Sequence, residues 1–115
     1  MPRIHRVPAM STALLLAAAG ALLPCAALAS QEVVVTQKNK AFSTPTLALH
    51  VGDKITFRNE DVFVHNIFSL TDSMPFDLGT YPQGQAKSIT FAKPGQFQIE
   101  CAIHPEMQLT VNVAP

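Results

Sequence analysis

Several short stretches of this chain alternate apolar and polar residues with a period of two, and this alternation limits the fold more than any other feature. Leu47, Leu49 and Val51 share one face while Ala48 and His50 take the other; Ile55 and Phe57 alternate with Lys54, Thr56 and Arg58. The rhythm returns in Ile89 and Phe91, in Phe97, Ile99 and Cys101, and in Leu109, Val111 and Val113. Alternation of this kind builds strands buried on one face, and no segment carries a convincing helical period. Gly52-Asp53 and Pro94-Gly95 supply tight turns, and Asn59-Glu60-Asp61 a polar loop. The pattern predicts an all-β chain folded as an antiparallel Greek-key β-sandwich. Residues 71–85 hold Pro75, Gly79, Pro82 and Gly84, so they read as a long loop with at most a brief strand at 76–78.

The 115 residues leave room for one domain. Residues 1–29 are expected to be a cleaved signal peptide. Arg3 and Arg6 form a positive start, the apolar run from Ala13 to Leu23 is too short for an ordinary membrane span, and Ala27-Leu28-Ala29 offers a cleavage site. Arg3 and Arg6 are not adjacent, which favours the general export route over the twin-arginine one. Pro24 before Cys25 fits poorly with a lipoprotein signal. The expected domain is therefore 30–115, in the periplasm, with no stable membrane insertion after cleavage. It holds six basic and eight acidic side chains and no basic cluster, which argues against nucleic-acid binding. It also keeps a single cysteine, Cys101, so its thiol is free, paired with another chain or bound to metal.

Chemistry concentrates in Cys101-Ala102-Ile103-His104-Pro105-Glu106-Met107, a C-x2-H-x2-M segment. Cys101 shares parity with Phe97 and Ile99, and Met107 with Leu109, Val111 and Val113, so both are expected to point inward. His104 sits midway round the loop and reaches the same spot from the surface. His65, in Val64-His65-Asn66-Ile67, supplies a second imidazole, although the parity of its stretch is undecided because both faces are apolar. Two His, one Cys and a weak Met form the set that holds copper for electron transfer; zinc is the lesser reading, because a thioether suits zinc poorly. Each residue alone has a blander reading, an inward Cys as core filler or a Met as gap filler. Their joint occurrence makes the metal reading the stronger. His50 alternates outward and reads as a surface histidine.

These residues resemble the cupredoxin family, small type 1 blue copper proteins of the plastocyanin, amicyanin and pseudoazurin kind. The resemblance rests on His65-Asn66 in an apolar strand, the run Gly52-Asp53-Lys54-Ile55-Thr56-Phe57-Arg58-Asn59, Pro94-Gly95 with Phe97, and the short ligand loop. It implies one type 1 copper per chain, with His65, Cys101 and His104 as equatorial ligands and Met107 as the axial one. It also implies that Asn66 braces the ligand loop and that its backbone N–H donates to the thiolate. The usual hydroxyl partner of that Asn is replaced by Ala102, so Asn66 either bonds a backbone group or braces the loop less tightly. Ile103 has an N–H where amicyanin has a proline, and a second hydrogen bond to the sulfur, raising the reduction potential, is expected from it.

With no open coordination position and no nucleophile–base pair, the chain is not expected to be an enzyme. The predicted role is single-electron transfer by a monomer, with His104 as the port and a cytochrome or dehydrogenase docking near it. Pro105 with Val64, Met74, Pro75 or Phe76 would form the docking patch, and Glu106 would steer toward a positive partner. The competing readings are a periplasmic copper carrier or storage protein, and a binding module whose metal is structural or absent. The mature chain holds only Met74 and Met107, few for a carrier.

Overall fold

The computed structural model describes residue 9, residues 13–22 and residues 29–115. Arg3, Arg6, Cys25 and most of the expected cleavage site lie outside the described residues. Among those described, no helix is long and apolar enough to cross a membrane.

Nine strands form: β1 (Glu32–Lys38), β2 (Ala41–Phe42), β3 (Thr46–His50), β4 (Lys54–Asn59), β5 (His65–Ser69), β6 (Phe76–Tyr81), β7 (Ala86–Thr90), β8 (Gly95–Glu100) and β9 (Gln108–Ala114). They make two sheets, ordered β2-β1-β4-β7 and β3-β9-β8-β5-β6. This is the expected all-β sandwich, with non-consecutive strands brought side by side by crossings between the sheets. Both sheets are mixed: β1 runs parallel to β4 and β3 parallel to β9, while the other pairs are antiparallel. Alternation fixes which face a side chain takes but is blind to the direction of its neighbour, so parallel pairing left no mark in the sequence.

The inward residues of both sheets meet in one core. Val35, Ile55, Phe57, Ile67, Phe91, Phe97, Ile99, Leu109 and Val111 are fully buried. Phe91 stands edge-on to Phe97 at 5.1 Å, a favourable aromatic geometry. Two expectations need correction. Val51 is 40% exposed rather than inward, because β3 stops at His50 and Val51 enters the turn at Gly52, whose φ is +97°. Residues 76–81 form a full strand instead of a loop. Asn66 pairs with Thr80 and Phe68 with Asp77, so Leu78 and Gly79 together face Ile67 across a β-bulge. Gly79 takes φ +76° there, so the glycine marks a bulge and not a turn.

The register sorts the loops into two ends. His65 pairs with Tyr81 at one end of β5, and Ser69 with Phe76 at the other. The first end also collects the β1–β2 turn, the β4–β5 loop and the loop from Cys101 to Met107. The second collects the β3–β4 and β5–β6 connections.

A candidate metal centre at one pole of the sandwich

His65 opens β5 and is fully buried. Cys101 directly follows β8 and Met107 directly precedes β9; each is 1% exposed. Both therefore keep the inward parity of their strands. His104 is half-buried on the loop between them, and a turn from the Met107 amide to the His104 carbonyl (3.0 Å) sets its position.

The ligating atoms of His65, Cys101 and His104 all lie within 4.8 Å of one another. His65 Nδ1 stands 3.8 Å from Cys101 Sγ and His104 Nδ1 3.9 Å. The opposite nitrogen of His65 is engaged: Nε2 lies 2.7 Å from Asp61 Oδ2. An ionised carboxylate only accepts, so Nε2 is the donor, and in the neutral imidazole Nδ1 is then the acceptor that faces the sulfur. The donor set, one cysteine sulfur and two imidazoles converging within 4.8 Å, fits a soft metal ion.

Asp61 was not legible as part of this site. Its Oδ1 accepts the Asn39 amide (2.7 Å) and its Oδ2 the Lys40 amide (3.1 Å). Burial pushes its carboxyl up, but the hydrogen bonds from His65, Lys40 and Asn39 outweigh that and hold it below the ordinary carboxylate value. Asn59 fixes the same loop, accepting the Asp61 amide (2.8 Å) and donating to the carbonyls of Phe63 (2.8 Å) and Tyr81 (3.0 Å). An acid four residues before a histidine was the only available signal, and in a loop that spacing implies no contact. Phe63 was missed as well: its ring lies 5.3 Å from that of His65 and 5.1 Å from that of His104.

Asn66 acts as expected at two atoms. Its amide N–H donates to Cys101 Sγ (3.3 Å), and its side-chain oxygen accepts the Ala102 amide (3.2 Å), so the loop is braced through backbone where a hydroxyl is missing. Asp77, beside the bulge, accepts the other end of the Asn66 side chain (2.9 Å). Ile103 does not supply the second hydrogen bond to sulfur: among the described residues Asn66 is the backbone donor, and Ile103 lies 45% exposed on the loop. The expected docking patch also changes. Met74, Pro75 and Phe76 precede or open β6 at the end where Ser69 lies, four residues or about 13 Å of strand from His65. Val64 and Pro105 stay at the metal pole. Tyr81 is buried and donates its hydroxyl to Gln37; burial, then the charge of Cys101, push its phenol far above the ordinary range.

Comparison with known proteins agrees with this geometry. A family described as copper binding proteins, plastocyanin/azurin family, matches residues 29–114. Amicyanin from Paracoccus denitrificans is 30% identical over 91 residues, covering 76% of this chain and 70% of the relative. A reduced amicyanin variant superposes with a TM-score of 0.67 at 28% identity, over 75% of this chain and 85% of that one. A copper-containing nitrite reductase from Thermus scotoductus SA-01 gives a TM-score of 0.68 at 29% identity over 73% of this chain. This chain spans only 22% of that reductase.

Proposed function

This chain belongs to the plastocyanin/azurin family of copper-binding proteins, and from that premise we propose that it carries single electrons between redox partners and is not itself an enzyme. The cluster of His65, Cys101 and His104, with Met107 nearby, fits one type 1 copper. The observation that carries the reading is the convergence of one buried cysteine sulfur and two imidazoles within 4.8 Å, each imidazole turning Nδ1 toward the sulfur. His65, Cys101 and His104 would hold the ion, with Met107 as the weak fourth ligand. When bound, copper supplies a one-electron couple between its cuprous and cupric states.

The chain's own residues do the rest. Asp61 keeps the His65 proton on Nε2, and Asn66 both donates to the sulfur and ties the loop at Ala102. Ligands held this way need little rearrangement between oxidation states. The burial of Cys101 and Met107 excludes water from the sulfur side. His104, half-buried at the pole, is the natural port. We place the working protein in the periplasm as a monomeric domain of 30–115 after removal of residues 1–29, meeting a cytochrome or a dehydrogenase near His104.

Adding Cu(II) to the purified protein tests the reading. An intense blue colour that bleaches with reductant is expected. A colourless, readily chelated complex would instead support copper carriage, and absence of binding would leave a plain β-sandwich module.

A further inference from the structure

Around the two imidazoles the surface is apolar on one side and cationic beyond it. Val62 is 84% exposed, Ile103 45%, Val64 43% and Phe63 36%. The Phe63 ring touches both histidine rings, so this patch is continuous with the metal centre. Past Phe63 a cleft of about 480 Å³ separates the β4–β5 loop from the β1–β2 turn. The exposed charges on its walls are Lys38, Lys40 and Glu60; the remaining acid, Asp61, is spent on hydrogen bonds.

The turn is held in place. Asn39 and Lys40 have φ of 53° and 55°, a left-handed conformation that non-glycine residues adopt at a cost, and the Asp61 carboxylate fixes both amides. The Lys40 ammonium lies 5.6 Å from the centre of the Phe63 ring, a cation–π contact that sets the charge at the edge of the apolar patch. The Lys40 charge is therefore held beside the ring that packs on both imidazoles, with Lys38 on the same wall of the cleft.

We propose that this cleft receives an acidic loop of the redox partner, its carboxylates between Lys38 and Lys40 and its apolar side chains over Val62 and Phe63. The inference rests on the electron-carrier reading and sharpens it. It places the contact on the turn side of His104 and makes the partner's recognition element acidic there, whereas Glu106 alone would call for a basic one. Residues 30–115 hold more acids than bases, so an evenly charged molecule would repel an acidic partner. On this face the local attraction comes from these two lysines, set against the single exposed acid Glu60.

Two measurements test it. In the first, the copper(I) protein gives one electron to hexacyanoferrate(III), forming hexacyanoferrate(II). The rate is expected to fall as salt is added, and the double variant Lys38→Glu, Lys40→Glu to lose about tenfold at low ionic strength. Oxidation by the cationic tris(phenanthroline)cobalt(III) should not slow in that variant, which checks that the centre is intact. Glu106→Gln should change the hexacyanoferrate rate by less than about twofold. A rate indifferent to the lysines, or governed by Glu106, overturns the proposal. In the second, amide NMR follows a peptide of alternating Glu and Leu added to the copper(I) protein and to the metal-free chain. Shifts at Asn39, Lys40 and Phe63 that a Gln-Leu peptide does not cause support the cleft; their absence sinks it. A chain that takes the peptide yet forms no blue complex keeps the cleft and loses the electron-carrier reading. A blue chain that ignores the peptide does the reverse.

Discussion

At the metal pole Asp61 accepts the amides of Asn39 and Lys40, and at the other pole Asp53 accepts those of Gln31 (2.7 Å) and His50 (2.8 Å). Both carboxylates are nearly inaccessible, both stitch together segments about twenty residues apart, and both have lowered pKa values. They differ in one bond. Asp61 also holds His65 Nε2, while the histidine near Asp53, His50, bonds it only through its backbone amide and leaves its ring on the surface. The same turn-tying device is therefore structural at one end and reaches a residue of the candidate metal centre at the other. The third hydrogen bond makes the difference, not the residue type or its burial.

Breaking each carboxylate in turn should separate these roles. Asp61→Ala has the largest expected effect: copper affinity falls about tenfold to a hundredfold in a competition titration, because His65 loses the partner that fixes its tautomer. Asp61→Glu should recover part of it. The matching Asp53→Ala should lower the melting temperature and leave copper affinity unchanged. A drop in affinity there would erase the contrast. Next comes Asn66→Ala, which removes the brace at Ala102 but keeps the backbone donor to sulfur. It should broaden or shift the visible band and weaken copper by less than Asp61→Ala does.

Acid titration sharpens the comparison at the far pole. The amides of Gln31 and then His50 hold the Asp53 carboxyl below its ordinary value, so its stabilisation is complete above the unfolded carboxylate pKa of about 4 and is lost as pH falls through the lowered folded value. Asp53→Asn should therefore be less stable than the parent at pH 7 and lose less on acidification, as read by chemical denaturation at several pH values. A parallel pair of curves would show that the carboxylate charge is not what the turn uses. The smallest effect is expected from Lys40→Gly. Relief of the left-handed backbone at φ 55° opposes the extra freedom of glycine in the unfolded chain, so stability should change by under about 1 kcal/mol.

The sequence carried the sandwich and the converging donors because both follow from parity. Phe97, Ile99 and Cys101, like Met107 and Leu109, alternate in the manner that burial requires, and their faces came out as read. Contacts that depend on long-range register were not legible. Asp61 meets Asn39 across a separation of 22 residues, and nothing local in either segment records it. Gly79 shows a subtler failure: its need for a left-handed backbone was real, but a bulge satisfies that need as well as a turn does. The placement of Met74, Pro75 and Phe76 went wrong for a related reason. Their apolar character says nothing of which end of the sandwich they occupy, and the antiparallel return of β6 puts them at the far end.

The position of β9 in its sheet bears on how the protein acquires its metal. This strand follows the ligand loop and lies between β3 and β8, with Thr46 opposite Thr110 and Glu100 opposite Gln108. Until it docks, β3 has no partner in that sheet, and the loop from Cys101 to Met107 is anchored at one end only. The β8–β9 pairing closes only the ligand loop, whereas Thr46 and Thr110 lie far apart in the chain, and such distant pairings form slowly because closing the intervening segment costs entropy before the contacts offset it. Cys101, His104 and Met107 are thus brought together by a local hairpin, and His65 joins them only through a non-local contact. A chain in which that distant contact has not formed offers copper the hairpin's own sulfurs and His104 but not the His65 imidazole.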